Sequence, residues 1–180
     1  MKFNRDFIYI VIIAILLATC GQLVYSYKYI PHQGRRVEIF YNQDIEANRK
    51  VISTIENADK FVYFAIYTFT RNDIKDALLG AKHRGLEVRG ITDKDQLAKI
   101  DLQEKIIKEL RNAGIPVAVQ NHSAIMHMKT VVTDKEYVSG SYNWTAAATD
   151  QNDEIIETGR DESIRRQYER VLGEVLGKYE

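Results

Sequence analysis

His127, Lys129, Ser141, Asn143 and Glu154 fall in one short stretch, His127-Met-Lys129-Thr-Val-Val-Thr-Asp134 followed by Gly140-Ser141-Tyr-Asn143 and then Glu154. Together they supply what is needed to split a phosphodiester without a metal: a nucleophile, and fixed cationic, hydroxyl and amide donors for the phosphate oxygens. A neutral imidazole at His127 can attack phosphorus directly, because histidine is one of the side chains that form covalent intermediates. On an extended strand side chains two apart share a face, so a strand over Met126 to Val132 aims Lys129 at the same phosphate as His127. Ser141 and Asn143 bring a hydroxyl and an amide from a second segment. Glu154 is placed to accept a hydrogen bond from the other imidazole nitrogen, which fixes the tautomer and raises basicity.

The order and spacing of these residues resemble the signature of the phospholipase D superfamily: His-x-Lys, four residues, Asp, then Gly-Ser-x-Asn and a downstream Glu. The specific part of the resemblance is Met126 to Glu154; in order of features it reaches from Val37 to the C-terminus. It implies that His127 is the nucleophile, that Lys129 and Asn143 hold phosphate oxygens with help from Ser141, that Glu154 orients the histidine, and that Asp134 has a supporting catalytic part. One departure concerns Asp134: five residues separate it from Gly140, where the usual pattern has six. A tighter turn at Asp134-Lys-Glu136 accommodates the difference.

The leaving oxygen must be protonated while His127 is bonded to phosphorus, so a second acid is required. The remaining histidines, His32, His83 and His122, do not begin a second His-x-Lys. His83 reads as part of the basic last turn of a helix closed by Gly85, and His122 as a loop residue at the mouth of the site. A two-fold symmetric homodimer supplies the missing group by bringing two copies of His127 to one phosphate. Single-motif members of the resembled family are similar in this, sharing a site across a dimer and passing through a phosphohistidine. The resemblance implies no cofactor and no metal, and the sequence carries no Cys cluster, His-Glu-x-x-His run or acidic calcium loop.

Around this chemistry the chain reads as an N-terminal segment over residues 1–30 and a catalytic domain over 31–180. Lys2 and Arg5 precede the apolar run Phe7 to Ala18, which continues with interruptions to about Val24, with Tyr25, Tyr27 and Tyr29 where interfacial aromatics belong. This reads as a signal anchor or a cleaved signal peptide, and the lack of a small-x-small cleavage site favours the anchor. Leu17-Ala-Thr-Cys20 is similar to a lipoprotein box except for its threonine. The expectation is a membrane-anchored domain in the cell envelope on the exported side, or a secreted one after cleavage. Lys28, Arg35 and Arg36 weaken the charge asymmetry that would fix orientation. The lone Cys20 excludes an intrachain disulfide framework.

The domain alternates strand and helix: strands at Val37–Tyr41, Phe61–Tyr67, Leu86–Ile91, Pro116–Val119, Met126–Val132, Tyr137–Val138 and Glu154–Thr158, with helices at Ile45–Ala58, from Asn72 or Asp73 to Arg84, at Leu102–Asn112, Asn143–Thr149 and Ser163–Tyr179. Phe61–Tyr67 is too uniformly apolar for a one-sided strand and belongs in the middle of a sheet covered on both faces. The fold expected is α/β, a mixed, mostly parallel sheet flanked by helices on both faces, with the site at strand ends and a hydrophobic helix in front.

Removing Met1–Tyr27 takes Lys2, Arg5 and Asp6 from 25 basic and 25 acidic residues, leaving 23 and 24, near neutrality. Bulk charge therefore does not make this a tight nucleic-acid binder, and DNA affinity must come from a local patch. Small single-motif members of the resembled family are nonspecific endonucleases that cut DNA and sometimes RNA, which is the leading expectation. The alternatives are a phospholipid-directed enzyme of the cardiolipin-hydrolase kind and an idle module that captures DNA at a membrane. Basic and aromatic residues around the site favour nucleic acid, an apolar rim favours lipid.

Overall fold

The computed structural model describes residues 5–29, 37–42 and 45–179. The chain falls into two compact units, Met1–Gln33 and Gly34–Glu180. The first holds helix α1 (Arg5–Tyr29), whose described large apolar side chains, from Phe7 to Leu17, are exposed, Leu17 to 69%. Among the described residues no helix is long and apolar enough to cross a membrane. Lys2, Arg35 and Arg36, and the expected boundary between residues 30 and 31, lie outside the described residues, as do the side chains of Tyr25, Tyr27, Lys28 and Tyr29.

The second unit is built on one seven-stranded sheet in the order β1-β7-β6-β5-β2-β3-β4. Its strands are β1 (Val37–Asn42), β2 (Phe61–Ile66), β3 (Glu87–Thr92), β4 (Val117–Val119), β5 (Lys129–Thr133), β6 (Tyr137–Gly140) and β7 (Glu154–Gly159). Only β2 with β3 and β3 with β4 pair in parallel; the pairs β2–β5, β5–β6, β6–β7 and β7–β1 are antiparallel. The sheet is therefore mostly antiparallel, which corrects the expectation of a mostly parallel one. The reason is the connections. Helical crossovers, α3 (Asn72–His83) and then α4 (Lys94–Lys99) with α5 (Asp101–Asn112), join β2 to β3 and β3 to β4. From β5 onward, by contrast, a tight turn reverses the chain into β6 and the next strand returns beside it.

Helices do cover both faces. Val62, Phe64 and Ile66 of β2 pack on one side with Val51 and Ile55 of α2 (Glu46–Glu56), Leu78 of α3 and Ile106 and Leu110 of α5. On the other, Phe61, Tyr63 and Ala65 meet Leu172 and Leu176 of α7 (Glu162–Tyr179). Alternation on a strand buried from both sides explains why Phe61–Ile66 is apolar throughout, as its composition required. The short helix α4 had no apolar period to announce it; Asp93 caps it, accepting from the amides of Asp95 and Gln96 at 2.9 Å.

Candidate active site

Antiparallel register brings the motif residues to one end of the sheet. Lys129 opens β5 opposite Ile66 at the end of β2, Thr130 faces Ser139 near the end of β6, and Gly140 faces Ile156 beside the start of β7. Residues 127–129, 140–143 and 154 therefore gather where β5 and β7 begin and β2 and β6 end. Gly140 makes the last junction possible: a Cβ there would lie 2.1 Å from the carbonyl oxygen of Ile155. With glycine, the chain closes up, Ser141 N donates to Ile155 O at 3.0 Å and Ile155 N to Ser141 Oγ at 3.1 Å.

Beyond Gly140 the chain alternates. Tyr142 and Trp144 are each 2% exposed and anchor the segment. Trp144 packs on Phe64 and Phe69, its amide donates to Thr68 O at 3.0 Å, and its carbonyl accepts from Thr70 and Arg71. The Tyr142 hydroxyl is bonded to Thr149 at 2.7 Å and donates to Asn48 at 3.3 Å, and burial pushes its pKa up to about 12. Ser141 and Asn143, between these anchors, are left for the site. Asn143 Oδ1 accepts from the Thr68 amide at 3.2 Å, so its NH2 is the group that faces a ligand.

Lys129 is 7% exposed. Its Nζ donates to the backbone oxygen of His127 at 2.9 Å and lies 5.1 Å from the centre of the Tyr67 ring. Burial lowers its pKa from the usual lysine value, and the negative charge of Glu154 opposes the shift. Glu154, buried beside it, accepts from Ser141 Oγ on one oxygen and from Asn152 Nδ2 at 3.2 Å on the other.

His127 is exposed, and its ring meets Tyr67 at 4.8 Å between centroids, inclined by 66°. Two expectations change here. First, β5 begins at Lys129, so His127 lies on the approaching loop rather than on the strand, and the backbone oxygen bonded by Lys129, not a shared strand face, couples the two residues. Second, the expected hydrogen bond from His127 to Glu154 is replaced: the carboxylate is held by Ser141 and Asn152, and the neighbour of the imidazole is Tyr67.

Asp134 is not brought to the site. It follows the far end of β5, about 17 Å of extended chain from Lys129. There its Oδ1 accepts from the amides of Asp59 and Lys60, both at 3.0 Å, and ties down the entry to β2. Burial raises its pKa, but these and further backbone hydrogen bonds outweigh that and leave it below the ordinary aspartate value.

Several residues that position the site were not among the sequence candidates. Asp93 is fully buried, and the oxygen it does not use to cap α4 accepts from Met126 N and Gln120 Nε2, both at 2.9 Å, which fastens the loop carrying His127 to the end of β3. Burial opposes ionisation, yet the surrounding amide donors hold its pKa below the ordinary value. An aspartate between a strand and a polar segment is an N-cap signal, but nothing in sequence reveals its second oxygen's task. Tyr67 and Asn152 likewise have no motif of their own. His122 is an exposed loop residue, with its carbonyl accepting from Lys94 Nζ at 2.6 Å and its ring 6.1 Å from that of Tyr179.

Residues 51–176 match the family described as cardiolipin synthase, PLD-like domain. The chain is 32% identical over 132 residues to the mitochondrial cardiolipin hydrolase of Xenopus tropicalis, covering 73% of this chain and 61% of that protein. To the phospholipase D of Rickettsia typhi it is 29% identical over 143 residues, covering 77% and 68%. It thus spans about two thirds of the length of these relatives. Nuc of Salmonella typhimurium, a phospholipase D family member of known crystal structure, superposes with a TM-score of 0.72 at 26% identity, over 77% of this chain and 92% of that one. With a family match running through both helical layers and the whole His-x-Lys to Glu segment, the chain belongs to the phospholipase D superfamily of phosphodiesterases.

Proposed function

We propose that the chain is a metal-independent endonuclease that hydrolyses DNA, and RNA where it is accessible, through a phosphohistidine at His127 in a site completed by a second copy of the chain. The observation that carries this reading is the gathering, at one strand end, of an exposed imidazole, a buried ammonium and a side-chain amide with a free NH2. His127 attacks; Lys129 and the Asn143 NH2 hold the phosphate oxygens, with the Ser141 hydroxyl beside them; the charge of Glu154 partly offsets the burial of the ammonium. These donors are fixed before substrate arrives, the condition under which they stabilise charge developing on the phosphoryl oxygens. The acid for the leaving oxygen comes from His127 of the second copy.

A polynucleotide is favoured by the rim. Lys94, His122, Lys178 and Tyr179 form a basic and aromatic margin, with Lys178 Nζ 5.1 Å from the Tyr179 ring centre, and Tyr179 packs in the same cluster as Met126 and Met128, which flank His127. The two-copy site is supported by an uncovered stretch of sheet beside Glu154: Ile39, Tyr41 and Ile155, which are 65%, 59% and 54% exposed, with Tyr41 and Ile155 paired across β1 and β7. Apolar sheet surface of this kind is characteristic of an interface. A phospholipid-directed reading draws on the same apolar side chains and on Ile125, 51% exposed close to His127.

The deciding experiment incubates the protein with plasmid, single-stranded DNA, RNA and cardiolipin vesicles in parallel, with excess EDTA in one arm. Cleavage of the nucleic acids, undiminished by EDTA and lost in His127→Ala while DNA binding persists, is the expected result. Exclusive turnover of cardiolipin selects the lipid reading, binding without cleavage leaves a DNA-capturing module, and inhibition by EDTA rules out the metal-free scheme.

A further inference from the structure

Tyr67 touches both groups that the chemistry depends on, and the fold locks it in place. Its amide donates to Met128 O at 3.0 Å and its carbonyl accepts from Gln103 Nε2 at 3.1 Å. Its hydroxyl accepts from Gln96 Nε2 at 3.0 Å, and Gln96 is held in turn by Thr68 Oγ1 at 3.0 Å. The backbone bonds fix where Tyr67 sits and the hydroxyl bond steadies its ring, which lies 4.8 Å from the His127 ring and 5.1 Å from Lys129 Nζ.

Both partners are cations at the critical moment. Lys129 is an ammonium with most of its hydration removed. In the attack the imidazole lone pair forms the N–P bond while the P–O bond to the leaving oxygen breaks, and that oxygen takes its proton from the second copy's imidazolium. The attacking ring, still carrying its other N–H, is left with a positive charge. The face of an aromatic ring is electron-rich and attracts such charge most strongly where water is excluded. We infer that Tyr67 is a positioning residue whose ring serves both cations: it stabilises the charge that forms on His127 as it is phosphorylated, and it holds the Lys129 ammonium over the phosphate. The inference rests on the assignment of His127 as nucleophile in the preceding section.

The test compares wild type with Tyr67→Phe, which keeps the ring, and with Tyr67→Leu and Tyr67→Met, which remove it; the two apolar replacements guard against one of them failing to fold. Steady-state rates on bis(p-nitrophenyl) phosphate are taken across pH, and phosphoryl label on His127 is followed in single turnovers stopped with alkaline detergent, in which the N–P bond survives. We expect Phe to stay within about twofold of wild type, and Leu and Met to lose about tenfold in kcat and in the rate of labelling with KM little changed. Wild-type rates in Leu and Met, an equal loss in Phe, or an effect confined to KM overturns the proposal. If wild type itself never carries label on His127, the nucleophile assignment falls instead, whatever the variants do.

Discussion

The two ends of β5 carry charged residues from the same short motif and treat them in opposite ways. At the end that opens on the site, the Lys129 ammonium is buried with one backbone oxygen and an aromatic ring for company, and His127 stands exposed. At the other end Asp134 accepts two backbone amides, while Glu136, 5% exposed, accepts from Lys50 at 2.7 Å, Thr54 at 3.0 Å and Thr158 at 3.3 Å, with Arg160 within 3.4 Å. One end leaves donor capacity unspent and the other uses up its acceptors on the protein itself. A phosphate needs donors, which the ammonium and amide at the open end can offer and the carboxylates at the closed end cannot. The difference separates chemistry from architecture inside a single motif.

The sharpest way to break the comparison is at the open end. His127→Ala should lower diester cleavage by at least about a thousandfold, as loss of a nucleophile does, with no change in thermal unfolding because the side chain is exposed. Retention of more than a few per cent of activity would remove His127 from the chemistry. Lys129→Met should cost about a hundredfold in kcat, the loss typical of one fixed donor to a developing oxyanion. It should also leave the fold as stable as before or more so, since it replaces a poorly compensated buried charge by a residue of similar reach. A destabilised Lys129→Met would show that the ammonium is structural after all.

How much of this contrast could be read from sequence follows from which interactions are local. The His-x-Lys and Gly-Ser-x-Asn spacings single out residues that the fold does bring to one strand end, because chemistry of the proposed kind dictates residue type. The segment after Gly140 was less legible: a helix is expected from Asn143, but the helix begins only at Ala146, and Tyr142 and Trp144 are buried while Ser141 and Asn143 are not. The apolar pattern of Phe61–Ile66 correctly placed β2 in the sheet interior, between β5 and β3. What stayed hidden depends on partners distant in sequence. Strand direction is set by how connections run, so of the four antiparallel pairs only β5–β6, joined by the turn at Asp134-Lys-Glu136, could be foreseen. Whether Asp134 is chemical or structural depends on the amides of Asp59 and Lys60, 75 and 74 residues away. Tyr67 and Asp93 act through contacts with residues 127 and 126, which no spacing rule connects to them.

The closed end yields smaller effects, and on stability rather than rate. Glu136→Gln removes the charge that Lys50 and Arg160 answer and should cost about 2 kcal/mol, below the usual cost of breaking a fully buried pair because Lys50 retains 18% exposure. Urea unfolding reads this, and cleavage per folded molecule should be unchanged. The sign of the pH dependence is also fixed. Burial raises the Glu136 pKa, but the hydrogen bond and charge of Lys50 with Thr54 and Arg160 prevail, so it lies below the ordinary glutamate value in the folded protein. Its contribution is therefore present above the unfolded-state pKa and is lost as pH falls through the folded one. The stability gap between wild type and Glu136→Gln should narrow on acidification; a gap that widens would mean that the carboxyl is protonated in the native state.

The mildest and most discriminating substitution is Asp134→Asn. Asparagine keeps an oxygen that can accept from Asp59 and Lys60, but without charge, so the loss should be about 1 kcal/mol, the difference between a charged and a neutral acceptor for exposed amides. Because the native aspartate has a lowered pKa, that loss too should shrink at acid pH, where wild type gives up its charge as well. At neutral pH kcat should stay within about twofold of wild type, since roughly 17 Å of strand separates residue 134 from Lys129. A kcat loss approaching that of Lys129→Met, in a variant of nearly unchanged stability, would mean that the far end of β5 reaches the chemistry by a route other than holding β2 in register.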